Sequence, residues 1–91
     1  MKNVHVSVTG RVQGVWFRAW TCDQAASRSL NGWVRNRQDG SVQAVLSGPD
    51  KDVDAMLDAL WQGPPAANVT SVQSEDLDDP PESGFHQRPT G

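Results

Sequence analysis

The stretch "VHVSVTGRVQGVWFRAW", residues 4 to 20, decides the reading of the chain. Its first half alternates. Val4, Val6 and Val8 fall on one face and His5, Ser7 and Thr9 on the other, the period-2 pattern of a half-buried strand. The segment "FRAWTCDQAASRSL" (17–30) has no Gly or Pro and is rich in helix formers, so a helix is expected there. Between strand and helix lies a loop with Gly10 and Gly14, no acidic residue, and Arg18 at its end. Such a loop presents unpaired backbone N–H groups and the positive end of the helix dipole, a place where anions collect.

Working outward, the remaining elements are legible from pattern. "GWVRNR" (32–37) and "SVQAVLS" (41–47) read as strands, joined by a turn in which Gly40 can take positive φ. In "GPDKDVDAMLDALWQGPP" (48–65), Val53, Met56, Leu57 and Leu60 recur at helical spacing. Asp50, Asp52 and Asp54 suit the N-terminal dipole, and Gly63, Pro64 and Pro65 stop the helix. Val69 and Val72 mark a strand over 67–76, and "FHQR" (85–88) offers a short last strand resting on Phe85 alone. The order strand–helix–strand–strand–helix–strand predicts an α+β, ferredoxin-like split βαβ sandwich. Its sheet is expected to be antiparallel, with two helices on one face.

The chain has 91 residues, enough for one domain over 1–91 with a modest core. At 36% hydrophobic and 21% charged it fits a soluble globular protein rather than a disordered one. No apolar run is long enough to span a membrane, and no signal peptide is expected at a start that goes straight into a strand. Cys22 is the single cysteine, which rules out an internal disulfide and suits a reducing compartment, the cytoplasm. A net charge of −3 argues against nucleic-acid binding. Arg11, Arg18, Arg28, Arg35 and Arg37 all precede residue 38, whereas the acids crowd into 50–82, so the N-terminal half is the anion-facing half.

Two motifs carry a resemblance. The first, G-x-V-Q-G-V-x-[FY]-R, is met by Gly10, Val12, Gln13, Gly14, Val15, Phe17 and Arg18. The second, G-[FYW]-V-[RK]-N-x-x-D-G-x-V with a later glycine, is met by Gly32, Trp33, Val34, Arg35, Asn36, Asp39, Gly40, Val42 and Gly48. On these the chain closely resembles the acylphosphatase family, from about Val4 to Pro65, with the match fading toward the C-terminus. The resemblance implies metal-independent hydrolysis of a small-molecule acyl phosphate to a carboxylate and inorganic phosphate, with no cofactor. It implies that the backbone amides of Gln13, Gly14, Val15, Trp16, Phe17 and Arg18 cradle the phosphate. It further implies that the Arg18 guanidinium clamps that phosphate and that Asn36 orients the attacking water. A monomer is expected, with neither membrane nor nucleic-acid partners.

The chemistry of these residues agrees with the implied roles. Gly14 lets successive N–H groups converge on one point. Arg18 offers a planar fork matched to phosphate oxygens. Asn36 is neutral and can hold water without repelling a dianion. Phosphoryl transfer asks chiefly for positioning and charge stabilisation, so no Ser, Cys or His nucleophile is needed.

Rival readings are weaker. "CDQAASRS" (22–29) has the C-x5-R-S spacing of a cysteine-dependent phosphatase loop, but it lacks the preceding buried strand and the internal glycines. His5 and His86 have no nearby second ligand for a metal. Trp16, Trp20, Trp33 and Trp61 are expected to be packing residues rather than a base-stacking platform. A non-enzymatic binding module on the same scaffold, such as one domain of a carbamoyl-phosphate-handling protein, is the alternative. Retention of both Arg18 and Asn36 weighs against it. A regulatory or RNA-binding ferredoxin-like domain is disfavoured by the acidic balance. Four positions depart from the family's habit: Arg28 for an apolar helix residue, Ser29 for a helix-ending glycine, Gln43 for a frequent Glu, and Gln87 for an apolar strand residue.

Overall fold

Val4, Val6 and Val8 form the spine of the core, each at most 1% exposed. They belong to β1 (Lys2–Arg11), in a computed structural model that describes residues 1–91. The chain continues through α1 (Phe17–Ser27), β2 (Asn31–Asn36), β3 (Val42–Gly48), α2 (Asp50–Gln62), β4 (Asn68–Asp76) and β5 (Phe85–Gln87). The five strands form one sheet in the order β4-β1-β3-β2-β5. β1 pairs antiparallel with β3 and β4, and β2 antiparallel with β3. Phe17, Thr21 and Ala25 of α1 and Val53, Met56 and Leu60 of α2 are buried. Apart from Thr21, they share one apolar cluster with the three valines, Val34, Ala44 and Leu46. This is the expected ferredoxin-like α+β arrangement.

One expectation about the sheet needs correcting. It is mixed, because β5 runs parallel to β2, pairing Gly32 with Phe85 and Val34 with Gln87. β4 lies at one edge, and the chain after it passes along the end of the sheet to the opposite edge, so it enters beside β2 in β2's own direction. Backbone bonds hold the strand where side chains give little. The Gly32 N–H donates to the Gly84 carbonyl (2.9 Å) and the Arg88 N–H to the Val34 carbonyl (2.8 Å). Phe85 then needs only to lean on the core.

The first helix also ends earlier than its composition predicts, at Ser27 rather than Leu30. Ser29 adopts φ 54°, the left-handed conformation that glycine takes most readily. The Leu30 N–H then turns back to the Ala25 carbonyl and the Ser29 N–H to the Ala26 carbonyl, both at 3.0 Å. Those two bonds form a Schellman cap without its glycine, and they deliver Leu30 into the core at 3% exposure. Arg28 does not enter that core. Its Nη1 lies back along the helix on the Gln24 carbonyl (3.1 Å) and Oε1 (2.8 Å), leaving the stem to cover apolar surface.

The other face of the sheet carries a polar row beside Val45 and Trp33. Arg35 Nε donates to Gln43 Oε1 at 2.7 Å, Gln43 Nε2 meets His5 Nε2, and His5 Nδ1 lies 3.5 Å from Glu75. In this row the Gln43 amide accepts from the arginine and donates to the imidazole at once.

Candidate active site

Strand parity decides where Asn36 points. In the register Val8–Val42–Asn36, Asn36 continues the row of Gly32 and Val34, which is the helix-covered face. It stands at the end of that row, at the same end of the sheet where β1 gives way to the loop before α1.

Gly10, near the end of β1, redirects the strand into the loop. The β1–β4 register slips between Thr9 and Gly10, and Gly10 sits at φ 119° with β4 so close that an added Cβ would lie 2.2 Å from the Asn68 carbonyl oxygen. Gly14 (φ 73°) and Trp16 (φ 67°) then turn the backbone twice through the left-handed region, and Trp16 caps α1 without a side-chain hydrogen bond. The result is a run of donors. Every backbone N–H from Gln13 through Ala19 lacks a partner within the chain, and the first bond into the helix is Trp20 N–H to the Trp16 carbonyl at 3.0 Å. No acid lies in the first turn of α1, whereas Asp50 and Asp52 occupy that place in α2. The α1 N-terminus is therefore left positive toward an external ligand.

Arg18, half-buried in the first turn of α1, makes no ion pair. The ion pairs of the chain are Met1–Asp50, Lys2–Asp54 and His5–Glu75, all elsewhere. A cavity of about 390 Å³ brings Arg18 and Asn36 together with Gly14, Trp16 and Phe17, and adds Val12, Ala19 and Gln87.

Gln13 and Val15 contribute backbone to the loop but turn their side chains away. Val15 is 4% exposed and part of the core. The Gln13 amide nitrogen donates to the carbonyls of Arg37 (2.7 Å) and Ser41 (2.8 Å), tying the loop to the β2–β3 hairpin that carries Asn36. Neither that tie nor the place of Gln87 on the cavity rim is visible in local sequence pattern. The polar departure at Gln87 is the one signal that could have suggested the latter.

One expectation fails here, for two of the four tryptophans, and one rejected rival stays rejected. Trp16 is 83% exposed and Trp61 51%, so neither is a packing residue. The cysteine-phosphatase reading of 22–29 is excluded by backbone shape, since residues 22–27 are helix and form no anion-wrapping loop. Burial also pushes the Cys22 thiol up, with Asp23 adding to the effect, the opposite of what a thiolate nucleophile requires.

The comparison with known families is decisive. The acylphosphatase family model matches residues 4–87, nearly the whole chain and well past the point where the motifs fade. This chain belongs to the acylphosphatase family. An acylphosphatase of Rhizorhabdus wittichii is 52% identical over 85 residues, covering 93% of this chain and 86% of that one. An acylphosphatase of Rhodospirillum rubrum is 46% identical over 90 residues, 99% of both chains. The crystal structure of acylphosphatase from Bacillus subtilis superposes with a TM-score of 0.92 at 32% identity, covering 97% of this chain and 99% of its own. The acylphosphatase fold therefore extends through β4 and β5, where the sequence signal is weakest.

Proposed function

We propose that the acylphosphatase activity of this chain runs where the loop before α1 meets Asn36. One observation carries the assignment: a continuous run of unpaired N–H groups ends on an arginine that no carboxylate neutralises, in one cavity with an uncommitted carboxamide. The phosphoryl oxygens of an acyl phosphate accept from the N–H groups of residues 13–18 and from the Arg18 guanidinium. The Asn36 carboxamide holds a water and aims its lone pair at phosphorus. As the new O–P bond forms, the bridging O–P bond breaks and the carboxylate leaves with the electron pair. The water proton passes to a phosphate oxygen. The fixed donors meet charge as it develops, so a metal has no task left to perform.

The further reading, a metal-independent monomer acting on small molecules in a reducing compartment, draws its support from the lone cysteine and the acidic balance. No three His, Cys, Asp or Glu side chains converge to hold an ion, and the lone cysteine is half-buried. No helix is long and apolar enough to cross a membrane. The apolar core is one cluster that draws on every element from β1 to α2, as one domain over 1–91 requires. The acidic balance weighs against nucleic acid.

The test separates the two side chains, using benzoyl phosphate hydrolysis in the presence of EDTA and competitive inhibition by inorganic phosphate. Arg18→Ala should weaken phosphate inhibition and slow turnover together, and Lys should rescue poorly. Asn36→Ala should keep phosphate inhibition near normal while kcat falls by about 10²-fold or more, the usual loss for a contact specific to the transition state. An Asn36→Ala enzyme that lost phosphate inhibition but turned over normally at saturation would make Asn36 a second anion ligand and overturn its assigned role.

A further inference from the structure

We propose that the Trp16 indole recognises the acyl group, making this enzyme selective for aromatic acyl phosphates over those with short aliphatic groups. The inference rests on the site reading above and extends it to the part of the substrate that carries no phosphorus.

Two of the other tryptophans have partners within the chain, and the third lies away from the site. Trp20 tilts against Phe17 with ring centroids 5.5 Å apart and packs on the core. Trp33 lies beneath the guanidinium groups of Arg35 and Arg88, at 5.3 and 4.5 Å. Trp61 projects from α2, outside the cavity. Trp16 differs from all three. It is 83% exposed, it holds a left-handed conformation that disfavours bulky residues, and it is among the residues that line the same cavity as Arg18 and Asn36. Core packing does not explain the residue, and the backbone would be served better by glycine. Its ring is therefore placed for something outside the chain.

The cavity is larger than a phosphoryl group requires. Allowing each oxygen a water molecule's share of volume, roughly 30 Å³, the phosphoryl group fills less than half of the 390 Å³. The remainder needs an apolar wall to recognise an apolar group. Val12 and Phe17 are 1% and 2% exposed, so they form only a floor. The indole is the one large apolar surface standing free at that edge. A substrate ring laid against it loses water from both faces in contact, and a methyl group is too small to gain much from the same wall.

The measurement is the ratio of kcat/KM for benzoyl phosphate to that for acetyl phosphate, in the parent chain, Trp16→Phe and Trp16→Gly. Glycine suits the backbone at this position, so the variant should fold, and circular dichroism checks that it does. Both substrates present the same phosphoryl group, so any damage to the loop falls on both and cancels in the ratio. The ratio should drop about tenfold in Trp16→Gly, mainly through KM, and stay near the parent value in Trp16→Phe. An unchanged ratio in folded Trp16→Gly overturns the inference. Arg18→Ala measured alongside keeps the two readings apart. If it loses activity on both substrates while the Trp16→Gly ratio holds, only the acyl assignment falls. If it retains full activity on both, the site itself is misplaced.

Discussion

Gln13 donates to the Arg37 carbonyl at 2.7 Å across 24 residues of sequence, and the same amide nitrogen reaches the Ser41 carbonyl at 2.8 Å. One side chain thus joins the phosphate-facing loop to both ends of the hairpin turn. No other side-chain hydrogen bond links the loop to the hairpin, so this joint and the buried Val12, Val15 and Phe17 set Arg18 relative to Asn36.

Gln13→Ala should therefore cost stability and catalysis together. Each carbonyl loses one of two donors and keeps a backbone one, the Gly40 N–H on Arg37 (3.2 Å) and the Arg37 N–H on Ser41 (2.8 Å), so the loss should be about 0.5–1.5 kcal/mol by denaturant titration. A loop displaced by even an ångström should lower kcat by roughly 10- to 100-fold. Gln13→Glu should be worse than Ala in kcat, because a carboxylate has no proton for either carbonyl and sets a negative charge beside an anion site. Wild-type kcat in both variants would show that the loop holds its place unaided.

Ser29→Gly should stabilise the chain. Ser29 stands at φ 54°, where an L-residue pays a conformational penalty of about 1–2 kcal/mol, and glycine escapes it. Part of the gain is offset by the greater freedom of glycine in the unfolded chain, leaving a net of roughly 0.5–1 kcal/mol. Urea unfolding measures it, and kcat should not change, since Ser29 lies at the end of α1 away from the cavity. A destabilised Ser29→Gly would mean that the serine side chain contributes more than the backbone loses.

Asp39 should leave a signature at acid pH. Its carboxyl accepts from the Ser41 hydroxyl (2.6 Å) and the Ser41 N–H (2.9 Å), and those two bonds, with help from Arg37, hold it below its usual value of 3.8. A carboxylate lowered on folding contributes stability that is complete above its unfolded value and is lost as pH falls through the lower folded value. Asp39→Asn removes that titration, so its unfolding free energy should fall less steeply below about pH 4. Parallel acid limbs for parent and variant would show that the hairpin does not depend on the charge.

Cys22→Ser should retain near-parental turnover, and iodoacetamide should react slowly with the native chain. Burial and Asp23 both keep the thiol protonated. A folded Cys22→Ser enzyme without activity, accompanied by phosphocysteine in the parent, would return the mechanism to the thiol.

How much of this protein its sequence determines by itself depends on the range of the signal. The alternation of Val4, Val6 and Val8 and the spacing of Val53, Met56 and Leu60 report local backbone geometry, so β1 and α2 are legible from residue type alone. The loop and Asn36 are legible for a different reason: two family motifs carry them. A glycine turn before an arginine is by itself as readily an ordinary turn, and an asparagine beside a hairpin an ordinary polar residue. Other features follow from pairings that no short window contains. β5 runs parallel to β2 because of the route taken by 77–84, not because of anything in "FHQR". The Gln13 tie exists only because loop and hairpin meet at the same end of the sheet. Ser29 ends α1 because Leu30 is drawn into the core, which overrides a serine's reluctance to take positive φ. Trp16 looks like a core tryptophan until the turn at φ 67° points it outward. Propensity and periodicity are properties of neighbours along the chain, whereas edge pairing, loop anchoring and exposure depend on which surfaces remain after the sheet has closed. Those were decided by the tertiary structure.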